Sequence, residues 1–242
     1  KFKDVNFEYN YNEPILKDLN FEIKEKETVG LVGPTGSGKT TIASLIHRFY
    51  EIKNGNILID NQDLQKVTQS SLSENISMVL QDPIIFSGTV EDNIKYKARA
   101  TREEVIEASK LVGSHDFIMT LPKGYDTVLE ESGANLSIGQ RQLLSFARAL
   151  LLDSKIFILD EATSYIDSYT EKQIQKALDA VLKNRTGIII AHRLSTIKNA
   201  DKIIVLDKGE VQEIGSHNEL LNNKGLYWKL WSNNESSFDD LN

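Results

Sequence analysis

The chain has 242 residues, 40% hydrophobic and 26% charged, with a formal net charge of -7 and no cysteine. That length builds one large domain or two lobes with an adequate core, and the acidic balance argues against a nonspecific grip on nucleic acid or anionic lipid. The absence of cysteine excludes disulfides and thiolate metal sites, and no apolar run approaches the ~20 residues needed to cross a bilayer.

No basic start followed by an apolar stretch marks a signal peptide. Lys1 is not an initiator residue and the chain opens directly into strand-like sequence, so a piece of something longer is expected.

Residues 1–31 read as short strands and turns, with Val5, Phe7 and Tyr9, then Leu19, Phe21 and Ile23, alternating with polar residues. Thr28–Val32 is a brief apolar strand feeding a glycine-rich turn. Helical spacing follows from Lys39 to about Tyr50, with Ile42, Leu45, Ile46 and Phe49 on one face. Asn54-Gly55, between Glu51-Ile52 and Ile57–Ile59, reads as a hairpin turn. From about 84 to 150 the character changes. Arg102–Val112 and Gly139–Leu152 are helical with little strand propensity between them, which predicts a mostly helical lobe inserted in an α/β core.

Three buried-strand signals resume the core: Ile156–Leu159, Gly187–Ala191 and Ile203–Leu206. Between the first two, Thr170–Leu182 carries a helix with Ile174, Ala177, Leu178 and Val181 on one face. Alternating strands and helices argue for βαβ units. Asp207-Lys208-Gly209 predicts a hairpin turn, Glu219–Trp231 a closing helix, and Ser232–Asn242 a polar, acidic, frayed tail.

Gly33-Pro34-Thr35-Gly36-Ser37-Gly38-Lys39-Thr40 is a phosphate-binding loop. Its glycines let backbone N–H groups close around phosphate oxygens where side chains would collide. Lys39 reaches the β- and γ-phosphates, the Thr40 hydroxyl suits Mg²⁺, and the following helix, with Thr41 in its first turn, offers a positive N-terminus. A chance match in a turn is the bland alternative, but the loop follows an apolar strand and precedes an amphipathic helix, as the chemistry requires. Asp160 ends an apolar strand, which places its carboxylate at the strand's C-terminal edge to hold Mg²⁺; Glu161 is placed to polarise an attacking water. A solvated acidic pair is the competing reading. Ser137 with Gln140 forms a capping box that opens a helix with Leu143, Leu144, Ala147 and Leu150 on its apolar face.

With Leu136-Ser137-Ile138-Gly139-Gln140, followed by Arg141-Gln142 and Ala147-Arg148-Ala149-Leu150, the chain resembles, over essentially its whole length, the nucleotide-binding domain of an ATP-binding-cassette (ABC) transporter. The resemblance implies a P-loop NTPase core with an N-terminal antiparallel β subdomain and an inserted α-helical subdomain. It implies one domain over 1–232, with the helical part at about 84–152, a flexible tail at 233–242, and a membrane domain outside this sequence. It implies ATP and Mg²⁺ as ligands, and that the helix N-terminus at Ser137, Gly139 and Gln140 faces the γ-phosphate bound by an opposite subunit. Tyr9 matches the aromatic that stacks on adenine, with Tyr11 close by; Gln81 matches the glutamine that contacts Mg²⁺ and water; His192 matches the histidine that contacts the γ-phosphate. Ser164-Tyr165-Ile166-Asp167 matches a loop that crosses the dimer interface.

Asp82–Val90 with Asp92-Asn93-Ile94 resembles the exporter subtype, and Val128–Gly133 resembles the segment that touches the membrane domain, with Glu131 kept and Ser132 in place of an arginine. Ile138 occupies the first glycine of the signature, where a β-branched side chain crowds the approach of a phosphate. A damaged signature beside an intact phosphate loop, Asp160, Glu161 and His192 is, in that family, the mark of heterodimeric exporters. The resemblance therefore implies an ATPase at the cytoplasmic face of a membrane, working with a second such domain and a transmembrane domain. A soluble ABC ATPase acting on nucleic acid or ribosomes, and a regulatory domain that binds ATP without hydrolysis, remain the alternatives.

Overall fold

A computed structural model describes residues 1–80, 82–160, 168–191 and 194–239. In chain order the elements are β1 (Phe2–Glu8), β2 (Pro14–Phe21), β3 (Thr28–Val32), α1 (Lys39–Ile46), β4 (Asn54–Ile59), β5 (Gln62–Asp63), α2 (Gln69–Asn75), β6 (Ile76–Val79), β7 (Gly88–Thr89), α3 (Val90–Lys95), α4 (Arg102–Leu111), α5 (His115–Thr120), β8 (Val128–Leu129), α6 (Ile138–Leu151), β9 (Ile156–Asp160), α7 (Ser168–Leu182), β10 (Thr186–Ile190), β11 (Lys202–Asp207), β12 (Glu210–Gly215), α8 (His217–Asn223) and α9 (Leu226–Asp239). They divide into two compact units, Lys1–Ser73 with Thr186–Asn242, and Glu74–Arg185.

The first unit holds an antiparallel sheet in which β1 pairs with β2 and β4, and β4 with β5. Its alternation is broken on purpose. Phe2 and Val5 are three residues apart yet both buried, as are Leu16 and Leu19. Asp4 and Asp18 take positive φ (49° and 45°) and the register shifts beside them, which resets the face. The side chains close the gaps: Asn6 Nδ2 donates to Asp18 Oδ1 at 2.8 Å and Asn20 Nδ2 to Asp4 Oδ1 at 2.9 Å. Asn54-Gly55 is not the hairpin turn expected from sequence. It lies inside β4, where Asn54 faces Asn6 and a Cβ on Gly55 would run into the Asp4 carbonyl; the hairpin turn is Asp60-Asn61, both at positive φ.

In the same unit β3 runs parallel to β10 and β11, and β11 turns back into β12 through Lys208-Gly209. The aliphatic runs Val29–Val32, Ile188–Ile190 and Ile203–Leu206 are buried, as continuous apolar strands of a parallel sheet must be. Helix α1 is shorter than its spacing predicts. Arg48 takes φ 53°, with Arg48 N donating to the Leu45 carbonyl and Phe49 N to the Ser44 carbonyl, a Schellman closure. Phe49 is therefore 61% exposed and not part of the buried face. The closing helix is also two: Lys224 adopts a left-handed conformation after α8, and the Glu213 carboxylate accepts the Leu226 and Tyr227 N–H groups at the start of α9. Helix α9 continues to Asp239, through most of the stretch read as a frayed tail.

In the second unit β6 and β9 pair in parallel, Ile76 opposite Ile156 through Val79 opposite Leu159. Helix α6 packs on α3, α4, α7 and β6, burying Leu143, Leu144, Phe146 and Ala147, while Leu150 is half-buried. The predicted face of α7, Ile174, Ala177, Leu178 and Val181, is buried as expected. Arg148 lies 5.2 Å from the ring centroids of both Phe86 and Tyr96, and donates to the Asn93 and Ile84 carbonyls. Burial pulls that guanidinium below its usual pKa.

Candidate functional site

The phosphate loop forms because β3 must hand the chain to α1 in a tight arc. Gly33 takes φ 151°, and a Cβ there would fall on the Leu206 carbonyl of β11. Gly38 takes φ 102° as the N-cap of α1, and a Cβ there would strike the Leu16 side chain of β2. Ser37 N donates to the Pro34 carbonyl at 3.1 Å, closing the loop. Gly36 differs: nothing lies within 4 Å of the place its Cβ would take. No side chain caps the N-terminus of α1. Its first-turn N–H groups are the donors that a phosphate satisfies.

Lys39 is buried, with its ammonium donating to the Gly33 carbonyl at 2.8 Å, the Pro34 carbonyl at 2.9 Å and Ser37 Oγ at 3.4 Å. A cation held by neutral loop oxygens, beside uncapped helix N–H groups, is an environment built for an anion. Thr35 and Thr40 are exposed, Thr41 buried. Tyr9 Oη and Thr41 Oγ1 share a hydrogen bond of 3.1 Å, which fixes Tyr9 next to α1. Its ring, 46% exposed, packs edge-on against Phe7 and Tyr50, each at 4.9 Å. Tyr11 is 82% exposed and has no such anchor among the contacts described here, so Tyr9 fits an aromatic platform better. Tyr50, which packs on Tyr9, carries no signal in the sequence beyond the aromatic pair Phe49-Tyr50 at the end of the helical spacing.

In the second unit Asp160 ends β9 and is buried. Thr40 and Asp160 offer a hydroxyl and a carboxylate, hard oxygen donors of the kind Mg²⁺ takes. The capping box is formed as the sequence predicts: Ser137 N donates to Gln140 Oε1 at 3.0 Å, and Gln140 N to Ser137 Oγ at 3.2 Å. Arg141 Nη1 donates to the Leu136 carbonyl at 2.9 Å, tying the preceding turn to the helix. Ile138 is the first residue of α6 and 39% exposed, its side chain unburied by its own chain. Ser132, which stands in place of the resembled family's arginine, is exposed and takes φ 57°. Gln81, Glu161, Ser164–Asp167 and His192 lie outside the described residues. Among the described residues, no helix is long and apolar enough to cross a membrane.

The family model "ABC transporter" matches residues 16–164, more than half of the chain. An uncharacterised ABC transporter ATP-binding protein of Bacillus subtilis (strain 168), YfiC, is 49% identical over 99% of this chain and 39% of its own length. A provisionally named multidrug export ATP-binding/permease protein of Staphylococcus aureus (strain NCTC 8325 / PS 47) is 51% identical over 94% of this chain and 40% of its own. The structure of a bacterial Atm1-family ABC exporter with ATP bound superposes with a TM-score of 0.91 at 45% identity, covering 96% of this chain and 41% of that one. The chain thus spans about two fifths of the relatives it matches. An ABC ATPase fold, its phosphate loop, its capped signature turn and a family match across most of its length agree: the chain belongs to the ABC transporter family.

Proposed function

We propose that this chain is the ATP-binding and ATP-hydrolysing motor domain of an exporter-type ABC transporter, acting as a head-to-tail dimer at the cytoplasmic face of a membrane. The observation that carries the reading is the phosphate loop, with a buried Lys39 ammonium held by loop carbonyls beside the uncapped N-terminus of α1. The exporter name of the Staphylococcus aureus relative, matched over 40% of its length, supports a permease portion outside this sequence.

On this reading the backbone of Gly33, Pro34, Thr35, Gly36, Ser37 and Gly38 and the first turn of α1, with Thr41, cradle the phosphates of ATP. The Lys39 ammonium exchanges its loop carbonyls for phosphate oxygens, and Tyr9 stacks on adenine. Thr40, Asp160 and Gln81 hold Mg²⁺, which supplies charge neutralisation to the phosphates. Glu161 accepts a proton from the attacking water, and His192 orients the groups around the γ-phosphate; the products are ADP and phosphate. Ser137, Gly139 and Gln140 serve the nucleotide bound by the opposite chain. Ile138 favours a non-identical partner chain, whose own signature completes the site built on this chain's Glu161. The test is Glu161→Gln in the full-length protein. It should bind ATP, release phosphate far more slowly and accumulate as an ATP-bound dimer; unchanged turnover removes the role.

A further inference from the structure

The signature turn has two adjacent positions, 138 and 139, that this chain treats differently. Position 138 carries an isoleucine that is 39% exposed. Position 139 keeps its glycine and is buried. Its backbone does not require one. Gly139 is not among the residues with positive φ and stands in the first turn of α6, where alanine is the better helix former.

What excludes a side chain at 139 is a neighbour within the same unit. A Cβ on Gly139 would fall on the Cγ2 methyl of Thr170, in the first turn of α7; Thr170 Cβ would lie 3.6 Å away and Oγ1 4.0 Å away. Only the methyl stands in the way. The N-cap Ser137 with Gln140 and Leu143 of α6, Thr170 and Gln173 of α7 and Phe117 of α5 border a cavity of about 360 Å³. Helices are fixed by close packing, and here the close packing at the start of α6 is the methyl seated on the glycine.

We propose that Thr170 is a positioning residue: its methyl, seated on Gly139, sets where the first turn of α6 stands and hence where Ser137 and Gln140 present their polar groups. The glycine is kept at 139 to admit that methyl, while position 138, facing outward, tolerates isoleucine. The proposal rests on the reading that this turn serves ATP hydrolysis.

A double-mutant cycle in a homodimer of the full-length protein, whose two sites both use this signature turn, tests it, with kcat and KM for ATP as readouts. Gly139→Ala should lower kcat ~10-fold or more and leave KM within ~2-fold, since the chain's own phosphate loop is untouched. Thr170→Ser deletes the obstructing methyl and keeps the hydroxyl; alone it should change kcat by less than ~3-fold, and combined with Gly139→Ala it should raise kcat at least ~3-fold above that of Gly139→Ala alone. A double variant as slow as Gly139→Ala overturns the proposal, because the glycine then answers to something outside the chain. So does a Gly139→Ala protein with wild-type turnover. Should Gly139→Ala alone fail to fold, a double variant that folds and turns over supports the proposal, and one that also fails to fold overturns it. A wild-type protein without ATP-dependent phosphate release removes the ATPase reading itself, a result distinct from failure of the cycle alone.

Discussion

Lowering the pH should destabilise this protein through one buried histidine. His47 caps the C-terminus of α1, is 8% exposed, stacks on Phe49 at 5.2 Å, and has an Nε2 that is buried without a hydrogen-bond partner. Burial disfavours the imidazolium, and the folded-state pKa is pushed down from 6.5 to about 4. The unfolded chain takes up its proton as pH falls through 6.5, and the folded chain does so only near 4. The unfolded state therefore binds more protons throughout that window, so stability rises with pH and is lost on acidification. The gap between the two pKa values corresponds to a ceiling of about 3 kcal/mol, lost between pH 7 and pH 4. That is a large part of the ~5–15 kcal/mol by which a folded domain is ordinarily stable.

The assay is denaturant unfolding of wild type and His47→Leu at a series of pH values. Wild type should lose up to about 3 kcal/mol more than the variant between pH 7 and pH 4. The slope is the readout, because the substitution also changes packing and shifts the level. Carboxylates held low by partners, Asp126 by Arg102 and Asp92 by Thr89, lose their contribution at lower pH and do so in both proteins. Parallel curves for the two proteins from pH 7 to pH 4 would refute the reasoning.

Three further outcomes follow from the proposed site. Lys39→Ala removes charged hydrogen bonds worth ~1.5–3 kcal/mol each, so ATP affinity by titration calorimetry should fall ~100-fold or more, with or without Mg²⁺; an unchanged Kd takes Lys39 out of the site. Glu161→Gln should slow phosphate release ~100-fold or more while the Kd for ATP moves less than ~3-fold, and size-exclusion in ATP should show dimers; monomers with unaltered turnover contradict the role. Ile138→Gly should raise the ATPase rate of a homodimer several-fold, ~10-fold at most, and matter little beside a partner with an intact signature; indifference in both settings refutes the heterodimer argument.

Patterns that close within a few residues were legible in the sequence. The capping box at Ser137 and Gln140, the buried face of α7, and the continuous runs of β10 and β11 needed nothing beyond local spacing. The errors fell where a distant group decides a local conformation. Asn54-Gly55 has the composition of a turn, yet its glycine is required by the Asp4 carbonyl of β1. The helical pattern at Lys39–Tyr50 continues past the place where Arg48 turns left-handed and sends its guanidinium to the Leu64 and Val67 carbonyls. The break between α8 and α9 depends on Glu213, a β12 residue that carries no helix signal of its own.

The same division runs through the site. Gly33, Gly38 and Lys39 are recognisable as a phosphate loop because their spacing is the chemistry, but both glycines also answer to neighbours, Leu206 and Leu16, that spacing does not reveal. At the signature the distinction changes an interpretation. Read as a string, Ile138 and Gly139 are one lost and one kept glycine of the same kind. In the fold they are different objects: position 138 faces outward, and position 139 is occupied from within by the methyl of Thr170. A substitution at 138 therefore spares the chain's own packing and is felt where another molecule meets the turn, whereas one at 139 must first displace the Thr170 methyl. That is why a chain can carry isoleucine at one position and still fold with its signature turn fully capped.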